Sequence, residues 1–180
     1  MQSKILIGLG IIAVCVFAIV AFWMTRPPDQ PPCERFQNSV VKADTMRILE
    51  GLPHQNLRHE VFEKELKSKP NQKLGDYHFY EATRNLSPED TTSVAKILQR
   101  SSTYNTHVGK LCGGFHPDFA VSWTVDKLEY HALICFHCHE IILLGPGEEL
   151  HFDLTKTSHE ELKKILRPYH KDVPKSEFDY

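Results

Sequence analysis

Tyr130–Leu144, YHALICFHCHEIILL, is the longest apolar run of the chain beyond its first thirty residues. Its length and its β-branched residues suit one central strand. The segments on either side make the same kind of element. FAVSWTVD, Phe119 to Asp126, sets Phe119, Val121, Trp123 and Val125 against Ala120, Ser122 and Thr124, the alternation of a half-buried strand. GPGEE then turns the chain, and ELHFDL pairs back antiparallel. The last three strands therefore read as a meander, to which the helices must be fitted.

Working toward the N-terminus, Ala43–His54 (ADTMRILEGLPH) places Met46, Ile48 and Leu52 on a strand closed by Gly51 and Pro53. RHEVFEKELKSKP offers Val61, Phe62 and Leu66 at helical spacing. GDYHFYEATRNL is a further strand ending at a clear helix start, with Ser87 as N-cap, Pro88 at the first helical position and Glu89 and Asp90 at the positive helix end. Val94, Ala95, Ile97 and Leu98 form that helix's apolar stripe. Toward the C-terminus, Ser158 and Glu161 read as a capping box ahead of Leu162, Ile165 and Leu166, with Pro168 closing the helix. The expected fold is α+β: a mostly antiparallel sheet with two or three helices on one face, in the order β-α-β-α-β-β-β-α.

The ends of the chain are of another kind. Ile5–Trp23, ILIGLGIIAVCVFAIVAFW, carries no charge, and at 1.5 Å per residue it reaches roughly 28 Å, enough to span a bilayer. Residues 1–25 are expected to be a single transmembrane anchor, residues 26–39 a stiff Pro-rich stalk, 40–171 the globular domain and 172–180 a flexible tail. Lys4 before the span, against Arg26 and Asp29 after it, favours a cell-membrane protein with its domain outside the cytoplasm. In an oxidising compartment Cys33, Cys112, Cys135 and Cys138 can pair in three ways. The formal charge of −2 offers no basic face for nucleic acid. The expected partners are the membrane and a protein or small molecule.

Cys135, Cys138 and His139 have the CxxCH spacing of a c-type haem site, two thiols for thioether bonds and an axial imidazole. Bending the segment around a porphyrin would sacrifice the strand that Leu133, Ile134, Ile141 and Ile142 suit. A regular strand, which sends Cys135, His137 and His139 to one face and Phe136, Cys138 and Glu140 to the other, would not bring both thiols to one metal ion. A turn or bulge would instead allow a tetrahedral zinc site from Cys112, Cys135, Cys138 and one of His116, His137 or His139. A dithiol redox role lacks the helix start that stabilises an attacking thiolate. A disulfide from Cys112 to Cys135 or Cys138 needs only the compartment. The leading reading holds no cofactor, with zinc and covalent haem as alternatives. His116 and Asp118 in CGGFHPDF, and His54 after LEGLP, are candidate ligands or acid-base groups, though tight-turn positions account for them too. No GxSxG, P-loop or HExxH pattern points to an enzyme.

Taken together, LEGLPHQ (Leu49–Gln55), GDYHFY (Gly75–Tyr80), CGGFHPDFAVSW (Cys112–Trp123), LICFHCHEI and LRPYHK (Leu166–Lys171) resemble the markers of a family of small, uncharacterised bacterial membrane-anchored or exported proteins. The resemblance implies a membrane-tethered α+β domain and no particular activity. More distant similar proteins keep C-F-x-C without the histidine, which implies that Cys112, Cys135 and Cys138 are the shared feature. The sequence thus predicts a binding or structural module stabilised by a cysteine cluster.

Overall fold

The computed structural model describes residues 32–110 and 113–174. The anchor expected at 1–25, residues 26–31 of the stalk and Cys112 lie outside them. Among the described residues no helix is long and apolar enough to cross a membrane.

The folded unit begins at Pro32. Helix α1 (Pro32–Val41) occupies what reads in sequence as the end of a spacer. Its Phe36 and Val40, one turn apart, are 1% and 2% exposed and belong to the core. Phe36 meets Trp123 and Tyr130 edge-on, with ring centroids 6.4 and 5.5 Å away. The prolines before it masked that spacing.

There follow β1 (Arg47–Glu50), α2 (His59–Ser68), β2 (Asn71–Leu74), β3 (Tyr77–Tyr80), β4 (Arg84–Asn85), α3 (Pro88–Gln99), β5 (Tyr104–Thr106), β6 (Phe119–Val125), β7 (Leu128–Cys135), β8 (Glu140–Gly145), β9 (Glu148–Leu154) and α4 (Lys156–Leu166). Seven strands form an antiparallel sheet in the order β4-β1-β6-β7-β8-β9-β5, and β2 and β3 form a separate hairpin. The fold is α+β, as expected, with a mostly antiparallel sheet and four α-helices among the described residues.

One correction decides the shape of the site. Tyr130–Leu144 is two strands: β7 stops at Cys135, which pairs with Glu140 at the start of β8, and Phe136–His139 make the turn between them. The meander therefore has four strands. Apolar content is equally high on both sides of that turn, so hydrophobicity alone does not reveal the break. The other two reversals are visible in sequence chemistry: Asp126 and Lys127 both have positive φ in a two-residue loop, and Gly147 has φ 75°.

Ile48, Val121, Trp123, Ile134, Ile141 and Leu143 on one sheet face pack with Val94, Ile97 and Leu98 of α3, Leu162 and Leu166 of α4, and α1. The opposite face, with Leu49, Ala120, Leu133 and Ile142, packs against Phe79 of the β2–β3 hairpin. That cover makes β6 buried on both sides, rather than half-buried. Ser87 caps α3 as predicted, accepting a bond from Asp90 N–H at 3.0 Å. Helix α4 starts earlier than its sequence suggests. Thr155 is the N-cap, Ser158 is buried with its hydroxyl on Thr103 Oγ1 at 3.2 Å, and Glu161 pairs with Arg100 of the neighbouring chain segment. A capping box at Ser158 is thus replaced by contacts between elements.

Candidate functional site

The stretches that stand out in the sequence meet at one end of the sheet. Gly51 to His54 follow β1, His116 and Asp118 precede β6, Phe136 opens the β7–β8 turn, and Lys163, Arg167 and His170 come from the end of α4. Together with Val173 they line a cavity of about 50 Å³. At roughly 10–15 Å³ per water-sized group, that is room for a few heavy atoms.

Backbone bonding fixes this corner. Gly51 N–H donates to the Asp118 carbonyl at 2.8 Å, and a methyl group on Gly51 would fall 2.0 Å from the Pro117 carbonyl oxygen. Only glycine admits so close an approach. Asp118 N–H bonds the Ile134 carbonyl at 2.8 Å, while its carboxylate accepts from Phe136 N–H at 2.6 Å. The His116 ring stacks on His54 at 4.7 Å and bonds the Leu52 carbonyl through Nε2 at 2.5 Å.

His54 is 5% exposed. Its Nδ1 accepts from the N–H groups of Asn56 and Leu57 at 3.2 and 3.3 Å, so its hydrogen sits on Nε2. That Nε2 lies against the Gly113–Gly114 turn and makes no well-formed hydrogen bond there. Burial, followed by the neighbouring His116, pushes the His54 pKa down to about 4. It is therefore a neutral N–H donor at ordinary pH.

Behind the cavity wall, Glu50 is 1% exposed and fully satisfied. Its carboxylate accepts from His170 Nδ1 and Val173 N–H at 3.0 Å and from Lys171 and Asp172 N–H at 2.8 Å. Burial alone would raise its pKa, but these four donors outweigh it and the net shift is downward. Residues 172 and 173, read from sequence as the start of a flexible tail, are held here. Tyr169 adds a second tie, donating to Asp90 at 2.7 Å and accepting from Ser87 N–H.

The predicted haem and metal residues distribute unevenly. Cys135 and Cys138 flank the turn, and Cys138 N–H donates to Cys135 Sγ at 3.2 Å. Burial, with the nearby Asp118 carboxylate, pushes the Cys135 thiol up to about 12, so it is no activated nucleophile. The free thiols among the described residues are Cys33 and Cys135; Cys138 is not one of them. His139 stacks on His159 at 3.7 Å and its pKa is lowered, by burial first and by His159 next. His137 is exposed in the turn, and the His116 ring is committed to the Leu52 carbonyl. Sequence reading missed Lys163 and Arg167. Their signal was a pair of cations one turn apart at the end of a predicted helix, next to LRPYHK.

Comparison with protein-family models, curated proteins and solved structures found no match for this chain.

Proposed function

We propose that the folded unit is a binding module whose cavity takes a small oxyanion, the carboxylate or phosphate group of a larger ligand. The observation that carries this reading is the pair of cations, Lys163 and Arg167, that line one cavity with the buried His54 ring. Against these two cations the cavity sets one carboxylate, Asp118, already engaged with Phe136 N–H. Two cationic side chains supply the charge-assisted bonds that hold the oxyanion. On this reading the chain is a single-pass cell-membrane protein, anchored by Ile5–Trp23 and belonging with the small bacterial membrane-anchored proteins it resembles. Cys138 is paired with Cys112, two residues before Gly114, whose carbonyl lies 3.6 Å from Cys138 Sγ.

The test is calorimetric titration of the full chain at pH 7 with inorganic phosphate and with acetate. Saturable binding of at least one, weakened tenfold or more by Arg167→Gln and by Lys163→Met, is expected. No saturation in the wild type, or binding indifferent to both substitutions, overturns the proposal.

A further inference from the structure

On the sheet face opposite the three-helix core, β8, β9 and the segment after β5 bring His107, Glu140 and His151 together, with one ligand atom of each within 4.8 Å of the others. We propose that these three side chains form a site for a divalent transition-metal ion, zinc foremost. None of them lines the oxyanion cavity, so the two proposals stand or fall separately.

Two nitrogen ligands and one carboxylate leaving a position open is a recognised zinc set. His151 Nε2 and Glu140 Oε2 are 3.0 Å apart. Zinc bonds of 2.0–2.1 Å in a tetrahedron place neighbouring ligand atoms about 3.3 Å apart, so this pair already has the spacing of two ligands on one ion. The hydrogen now shared between them moves to Nδ1 of His151 as the ion enters, and the imidazole stays neutral. His107 Nδ1 lies 3.1 Å from Asp153 Oδ1. That imidazole–carboxylate bond holds Nδ1 as a pivot and leaves the second nitrogen for the metal, the supporting contact usual around ligating histidines. The two rings now stack at 3.7 Å and must rotate to converge. Both are about one-third exposed and able to do so, whereas Glu140 is nearly fully buried and fixed.

Lys110 is the competitor. Its ammonium lies 2.9 Å from Asp153 Oδ1, 3.5 Å from Glu140 Oε1 and 2.8 Å from the Cys138 carbonyl. It supplies the counter-charge that a buried carboxylate requires, and it must swing outward when the ion supplies that charge instead. Its side chain is 32% exposed, so the path outward is open. This gives the proposal a signature that a merely structural cluster lacks: removing Lys110 should strengthen metal binding.

The experiment is a zinc titration of the chelator-stripped full chain, repeated with cobalt(II) for its absorption spectrum. One ion per chain is expected, with affinity at least tenfold weaker in His151→Asn and Glu140→Gln, several-fold stronger in Lys110→Met and unchanged in Cys135→Ser. The cobalt spectrum should show no thiolate charge-transfer band. Circular dichroism checks each fold; should Glu140→Gln unfold, the partly exposed His151→Asn decides. The proposal is overturned by a wild type that takes up no ion, by binding indifferent to His151→Asn, or by a thiolate band that vanishes in Cys135→Ser.

Discussion

Replacing Glu50 with glutamine tests whether the segment after α4 is held by one carboxylate. Each Glu50 oxygen accepts two bonds, Oε1 from His170 and Val173 and Oε2 from Lys171 and Asp172. Glutamine keeps one oxygen and turns the other into a donor facing two donors. Two charge-assisted bonds are lost, at about 1.5–3 kcal/mol each, so the variant should unfold roughly 3–6 kcal/mol more easily at pH 7. That is a large part of the ~5–15 kcal/mol a small domain has. The pH dependence adds a second condition. The folded pKa of Glu50 lies below its ordinary value, so its contribution is complete above the unfolded value near 4.3 and is lost as pH falls through the lowered folded one. Guanidinium unfolding of both proteins should therefore show a constant gap from pH 7 to 5 and a shrinking one below about 4. A gap under about 1 kcal/mol at pH 7, or one that widens on acidification, would refute the reasoning.

His54 predicts a separate dependence. Its folded pKa near 4 against 6.5 unfolded means that the unfolded chain binds the proton first, so stability falls by about 3 kcal/mol between pH 7 and 4, and His54→Asn should remove that slope in the same unfolding assay. Gly51→Ala drives a methyl group into the Pro117 carbonyl and should cost about 3 kcal/mol in chemical denaturation, with weakened binding at the cavity. Phe36→Ala empties a fully buried ring site and should cost roughly 3–5 kcal/mol, whereas a spacer residue would show almost nothing. Coexpression with a haem-maturation system should leave the intact mass free of haem, and Cys138 should become alkylatable only after reduction; a Soret band refutes both.

Much of the frame was legible because the signals were local. Ser87-Pro88, the alternation from Phe119 to Val125 and the Gly147 turn each follow from the conformational preference of one or two residues, and each is where the sequence places it. Contacts between distant segments were not legible. Strands β2, β4 and β5 are short and carry little apolar periodicity, and they exist because a partner strand offers them hydrogen bonds. Thr155 rather than Ser158 starts α4 because Ser158 is claimed by Thr103, 55 residues away. The site divides in the same way. His54, His116 and Asp118 stood out by their turn chemistry, whereas Lys163, Arg167 and Glu50 look like ordinary surface residues until the chain is folded. The convergence of His107 with Glu140 and His151 depends on β5 and β9 pairing at the sheet edge, which no motif announces.

The CxxCH spacing itself has a mechanical explanation. Cys135 and Glu140 are paired residues closing a four-residue loop, and several of the peptide groups inside it are already bonded. Phe136 N–H goes to Asp118 and its carbonyl to His159, Cys138 N–H goes to Cys135 Sγ and its carbonyl to Lys110, and the His139 carbonyl accepts from Leu154 N–H. His139 meanwhile holds a left-handed φ of 56° to close the turn. Wrapping this segment around a porphyrin would break five bonds, two of them to charged groups, at a cost of roughly 6–9 kcal/mol. That is comparable with the whole stability of a domain this size. The same bonds give the turn two flanks: Phe136, whose N–H is held by Asp118, forms a wall of the cavity, and the Cys138 carbonyl holds Lys110 near Glu140. Cys135 and His139 each serve the hairpin, one accepting the Cys138 N–H and the other taking the left-handed position, and the two proposed sites lie to either side of them.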